Sequence, residues 1–181
     1  TGVGVQELLE VIVKLMPNPS EGNPPTYLNV PTDGSAPTEL QAVPDPTRHA
    51  LAHVFKIEID PYIGRLAAFR VHQGRITAGT QLYVGEGRKP VKAGHLYMLR
   101  GKTQIELAEA VPGDICAIAK VDEIQFDHIL HDSAEDAHIH ARPLELPTPV
   151  FGLAVQPKKR GEEQKVSDVL HKLLAEDPCF R

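Results

Sequence analysis

The chain has 181 residues, 19 Lys and Arg against 24 Asp and Glu, and a net charge of −5. Its length holds one or two domains with a real core, and a 41% apolar fraction excludes wholesale disorder. Two cysteines, Cys116 and Cys179, make no disulfide framework, no apolar run reaches the ~18 residues of a membrane span, and no basic-then-apolar leader opens the chain. These features fit a soluble, cytoplasmic protein, and the acidic total argues against a general DNA coat.

In chain order, Val5, Leu8, Leu9, Ile12 and Met16 recur at helical spacing and predict an amphipathic helix ended by Pro17. Eight of the 16 prolines fall between Pro17 and Pro46, so this stretch reads as an extended linker with a short strand at Thr26–Val30. Beyond it the period becomes two. Leu51, His53, Phe55, Ile57 and Ile59 alternate with their neighbours until Asp60-Pro61 stops the strand. Further strands are predicted over 65–72, 80–84, 91–100 (broken at Gly94), 104–107 and 115–121. Short strands between Gly and Pro turns point to an antiparallel barrel or sandwich, with a closed barrel preferred. Val150–Gln156 predicts a strand, and residues 161–176 a helix whose Glu162 and Glu163 suit the positive end of its dipole. A lone helix before the linker, a first residue that is Thr, and an unpartnered strand and helix at the end lead us to expect a fragment.

Charge is distributed unevenly. From Arg65 to Lys102 stand eight basic residues against the single acid Glu86, a segment of +7; from Thr103 to Leu146 two basic residues face ten acids, a segment of −8. Either these charges pair across the fold, or the basic segment is a patch for a phosphate backbone.

Several motifs suggest chemistry that their context does not support. Gly101-Lys102-Thr103 lacks the upstream glycine of a phosphate loop, since position 96 is Leu. His128, His131, His138 and His140, interleaved with Asp127, Asp132 and Asp136, have ligand chemistry and are weak metal candidates; they occupy a polar stretch that reads as a loop. Cys116 lies in an apolar run and Cys179 has no basic residue before Arg181, so neither reads as a nucleophile. No catalytic constellation emerges.

Three stretches resemble bacterial elongation factor G. Phe55 to Val71, with Gln73-Gly74 and Gly79, is similar to the opening of that family's second domain, and Val111-Pro112-Gly113-Asp114-Ile115 to its Ala-Gly-Asp-Ile turn. The third runs from Pro147-Thr148-Pro149-Val150 through Val155-Gln156-Pro157-Lys158 to Leu174–Arg181, and resembles the entry strand and first helix of domain three. Gly4–Leu9 and Met16-Pro17-Asn18-Pro19 look like the end of the GTPase domain. The resemblance implies four parts: residues 1–17 as the terminal helix of a GTPase domain, 18–47 as linker, 48–146 as a translation-factor-type antiparallel β-barrel, and 147–181 as the start of a ferredoxin-like α/β domain.

It also implies that the intact parent is a cytoplasmic, ribosome-dependent GTPase using GTP/GDP with magnesium. This chain itself would carry no catalytic or nucleotide-binding residue and no cofactor. Its partners would be small-subunit ribosomal RNA, its own GTPase domain and the remaining C-terminal domains, with no membrane and no DNA. Charge and family analogy together make Arg88, Lys89, Lys92, Arg100 and Lys102 the candidates for RNA phosphate. Asp60, Tyr62, Gly64, Arg65, Pro147 and Pro149 become candidates for interdomain contact, with Arg65 nearer the GTPase domain. The His/Asp-rich stretch and the linker depart from the family pattern and suggest a divergent paralogue, whether it translocates, recycles ribosomes or protects them from an antibiotic. Two readings of other classes stand beside this one: a metal-dependent enzyme built on the four histidines, and a stand-alone RNA-binding barrel.

Overall fold

The computed structural model describes all residues except Thr1, Ser20, Asn23, Pro24, Thr32, Pro61, Lys102 and Arg181. Helix α1 (Val5–Leu15) ends two residues before Pro17, whose ring disfavours helical backbone at the preceding Met16. None of its residues is buried, so its apolar stripe faces away from the rest of the described chain rather than packing on it.

The proline-rich stretch is more than an extended linker. It holds β1 (Thr26–Asn29), close to the predicted strand, and β2 (Thr38–Gln41), which pair as a hairpin. The rest of the fold comes from β3 (Leu51–Asp60), β4 (Gly64–Gln73), β5 (Ile76–Thr77), β6 (Gln81–Val84), β7 (Val91–Lys92), β8 (Leu96–Arg100) and β9 (Thr103–Leu107). After them come β10 (Glu109–Ala110), β11 (Ile115–Ala119), β12 (Ile129–His131), a 3-10 helix (Ala134–His138), β13 (Ile139–Ala141) and α2 (Glu163–Glu176). Eight strands form one antiparallel sheet in the order β7-β6-β12-β3-β4-β11-β8-β9.

This sheet curls around a single apolar core. Val54, Phe69, Ile76, Leu82, Leu96, Ile118 and Leu130, from seven different strands, lie in one buried cluster. The short connection after β5 draws the two edges together: Ala78 N–H donates to Ala108 O at 3.1 Å, and Ala93 N–H to Thr80 O at 2.9 Å. A second, smaller core forms where β1 and β2 meet β13 in a three-stranded sheet, and joins Tyr27, Ala42, Leu51, Ile129 and Ile139. Tyr27 opposite Ala141 and Asn29 opposite Ile139 set the register that ties the proline-rich stretch to the barrel.

The period-two pattern of β3 predicts one buried face, and the structure divides it. His72 is skipped between the pairs Leu51–Gln73 and Ala52–Val71, and Phe55 between Val54–Phe69 and Lys56–Ala68. Each skipped residue marks a β-bulge, and the one at Phe55 switches the inward phase of β3. Leu51 therefore enters the small core, Ala52 and Val54 enter the large one, Phe55 stays exposed, and Ile57 faces inward again.

The strand predicted at Val150–Gln156 does not form. Val150, Phe151, Leu153 and Val155 are exposed, in a segment that pairs with none of the described strands. Helix α2 does form, and it docks on β3 through the Glu176 carboxylate, which accepts from Ile59 N–H.

Candidate nucleic-acid interface

The β6–β7 connection is built tightly. Gly85 opens it with a φ of +53°, a conformation favourable to glycine, and a Cβ on Gly87 would stand 2.9 Å from Val84 O. Arg88 and Lys89 project from this turn and Lys92 from β7 opposite Gln81, all three exposed. One hairpin thus gathers three of the predicted phosphate contacts. Arg100 ends β8 on a different hairpin, opposite Thr103 across Gly101, and Lys102 lies outside the described residues.

Among the described residues Arg88, Lys89, Lys92 and Arg100 form no ion pair, and pairing across the fold neutralises little of the basic segment. Arg75 meets Glu109 at 3.1 Å, the single Arg or Lys bridge found between the +7 and −8 segments among the described residues. The acids turn instead to histidines: Asp127 to His53 at 2.7 Å, Glu106 to His95 at 2.6 Å, and Asp132 to His49 at 3.4 Å. The hairpin therefore presents hydrated, unneutralised cations to solvent, which is what a polyanion needs in order to displace counterions.

The interdomain candidates divide by position. Asp60 Oδ1 accepts from Tyr62 N–H at 2.8 Å and Ile63 N–H at 2.9 Å, and this shapes the β3–β4 turn. Tyr62 at its tip is 96% exposed, and Gly64 closes the turn with a φ of +88°. Arg65 points elsewhere. Its Nε is buried without a hydrogen-bond partner, beside a cavity of about 370 Å³ that it shares with Phe126, Leu174 and Pro178. The neighbour across that cavity is α2 and its following turn. Pro147 and Pro149 are exposed in a segment without regular structure.

The four histidines do not converge, and among the described residues no group of three or more His, Cys, Asp or Glu could hold a metal ion. His128 Nδ1 accepts from Gln125 N–H at 3.1 Å, and burial pushes its proton affinity below the ordinary imidazole value. His131 is fully buried, with both ring nitrogens directed at carbonyl oxygens. His140 faces Glu86 at 3.6 Å, and His138 lies on the 3-10 helix. Cys116 is buried, and burial, and then Asp114, push its thiol up to about 11, the opposite of the shift that activates a thiol.

Sequence reasoning missed the half-buried His53–Asp127 pair, whose Asp127 adopts a φ of +67°, and the Glu176 contact to β3. Neither has a local signal, because the partners stand 74 and 117 residues apart.

A sequence model of elongation factor G domain 2 matches residues 49–130, and one of elongation factor G domain III matches residues 146–181. The crystal structure of a protein from Thermus thermophilus superposes with a TM-score of 0.69 at 29% identity, over 97% of this chain and 23% of that one. This chain therefore spans about a quarter of the length of the Thermus protein it matches. Two domain models in the family's order, spanning well over half of the residues, agree with the curled antiparallel barrel and its C-terminal helix: the chain belongs to the elongation factor G family.

Proposed function

We propose that this chain is part of a ribosome-binding, cytoplasmic translation factor, and that its barrel touches small-subunit ribosomal RNA through the β6–β7 hairpin. The observation that carries this reading is the exposed, ion-pair-free set Arg88, Lys89 and Lys92 on one hairpin of a family-matched domain. Arg100, at the end of β8, is proposed to extend the contact, and Lys102 is proposed with it from its place in the sequence. The longer protein is proposed to hydrolyse GTP with magnesium and to act in translocation or a related ribosomal step. No residue of this chain is proposed to hold the nucleotide.

The domain division expected from the sequence belongs to the same proposal, amended in one respect: segment 18–47 is hydrogen-bonded to the barrel through β1 and β13. Asp60, Tyr62 and Gly64 are proposed to meet the GTPase domain, with Pro147 and Pro149 leading into domain III. Arg65 is better assigned to the contact with α2, because its guanidinium borders the cavity there.

Charge reversal tests the RNA contact. Replacing Arg88, Lys89 and Lys92 with Glu in the intact protein is expected to weaken binding to purified small ribosomal subunits. The slope of log affinity against log salt should flatten by roughly 0.7–0.9 for each phosphate that is no longer neutralised. Unchanged affinity across the salt series would rule the hairpin out.

A further inference from the structure

Beneath the basic turn lies a side chain that the proposed RNA contact does not itself use. His131, the last residue of β12, is the single polar or charged residue that is buried among the described residues. Its Nε2 lies 2.9 Å from Gly85 O and its Nδ1 2.6 Å from Ser133 O. The ring stacks on Tyr83, with centroids 5.5 Å apart and planes 15° from parallel. A carbonyl oxygen can only accept, so the contact to Gly85 needs an N–H at Nε2.

Gly85 is the first residue of the turn that carries Arg88 and Lys89. Its amide donates to Ile129 O at 2.8 Å while its carbonyl faces His131, so β12 holds both polar groups of this residue. On the other side Ser133 caps the 3-10 helix, its Oγ accepting from Glu135 N–H at 3.2 Å. Asp136 on that helix interacts with His131: burial raises its carboxyl first, and the ring's charge works against that rise. Asp132, Glu135 and His49 also act on Asp136 and complete the titratable surroundings, with Glu86 and His140 paired at the edge of the turn.

We propose that His131 is the positioning residue of the basic hairpin, a buried ring whose Nε2–H clamps Gly85 so that Arg88 and Lys89 are held ready for phosphate. The inference rests on the RNA reading of that hairpin. Its physical advantage is preorganisation, since a turn already fixed does not lose its freedom on binding.

Three measurements on the full chain test it. Nitrogen NMR of the His131 ring should show an N–H at Nε2, and a ring with Nε2 unprotonated overturns the clamp. His131→Phe keeps a ring on Tyr83 without donors, and His131→Gln keeps one. Exchange of the hydrogen-bonded Gly85 and Gly87 amides should quicken about tenfold or more in the Phe variant, as for removal of one or two hydrogen bonds, with the Gln variant between and β3–β4 amides unchanged. Affinity for purified small ribosomal subunits should fall in parallel, and adding His131→Phe to Arg88→Ala/Lys89→Ala should lower it no further. Unchanged turn amides in a folded variant, or a decrease that adds in full to that of the double variant, overturns the proposal. If Arg88→Ala/Lys89→Ala alone leaves binding unchanged, the RNA reading fails while the ring spectrum and amide exchange still decide the clamp. If the Phe variant does not fold, the Gln variant and the wild-type ring spectrum decide it.

Discussion

Tyr27 and His72 meet edge to face, with ring centroids 5.9 Å apart, where the proline-rich stretch covers the barrel. The Tyr27 hydroxyl is buried without a hydrogen-bond partner, and burial raises its proton affinity above the ordinary phenol value. Removing an unpaired buried hydroxyl relieves its desolvation cost, so Tyr27→Phe should stabilise the fold by about 1 kcal/mol in chemical denaturation. His72 is held down to about 4, first by burial and then by Arg70 and His53. Between that value and the ordinary 6.5, the unfolded chain binds a proton that the native chain refuses, so stability rises with pH across this window. Acidifying from pH 7 to pH 5 should lower the denaturation midpoint, and His72→Gln should flatten that dependence. An unchanged slope in the variant would assign the titration to another group. The sequence alone shows His72 as one residue of a β-run, because its burial depends on a bulge and on Tyr27 from a segment 45 positions away.

At the scale of elements, the strands are legible where turn chemistry bounds them and obscure where they are short. The predicted 65–72 became β4, and the Gly94 break correctly separated β7 from β8. Two-residue β5 and β10 and three-residue β12 and β13 carry too little periodicity to declare themselves. Helix α2 is legible from its own spacing, but its docking is not, since that depends on one carboxylate reaching the Ile59 amide. Glu176→Ala should cost about 1 kcal/mol locally, as for one hydrogen bond. Hydrogen exchange at Ile59 and through α2 should quicken while the β4 and β11 amides hold, and uniform protection would show that the contact carries no weight.

Across the whole molecule, two segments adjacent in sequence differ in what they contribute. No residue of α1 is buried, whereas Tyr27 and Ala42 from the proline-rich stretch form part of the second core. Deleting residues 1–16 should therefore leave the thermal midpoint of the barrel nearly unchanged, and deleting 1–46 should lower it by several degrees because Tyr27 is removed, as for a large core truncation. Equal midpoints for the two truncations would mean that the second core contributes nothing. The sequence by itself determined the strand-and-turn grammar, the helix at each end, the charge asymmetry and the family resemblance, because each is written in local spacing or residue type. Tertiary structure alone decided which cations stay unpaired, which histidines are buried apart rather than gathered, and that the proline-rich stretch belongs to the barrel. Those outcomes depend on strand register and on contacts between residues far apart in the chain, and a single bulge at Phe55 is enough to exchange the inside of a strand for its outside.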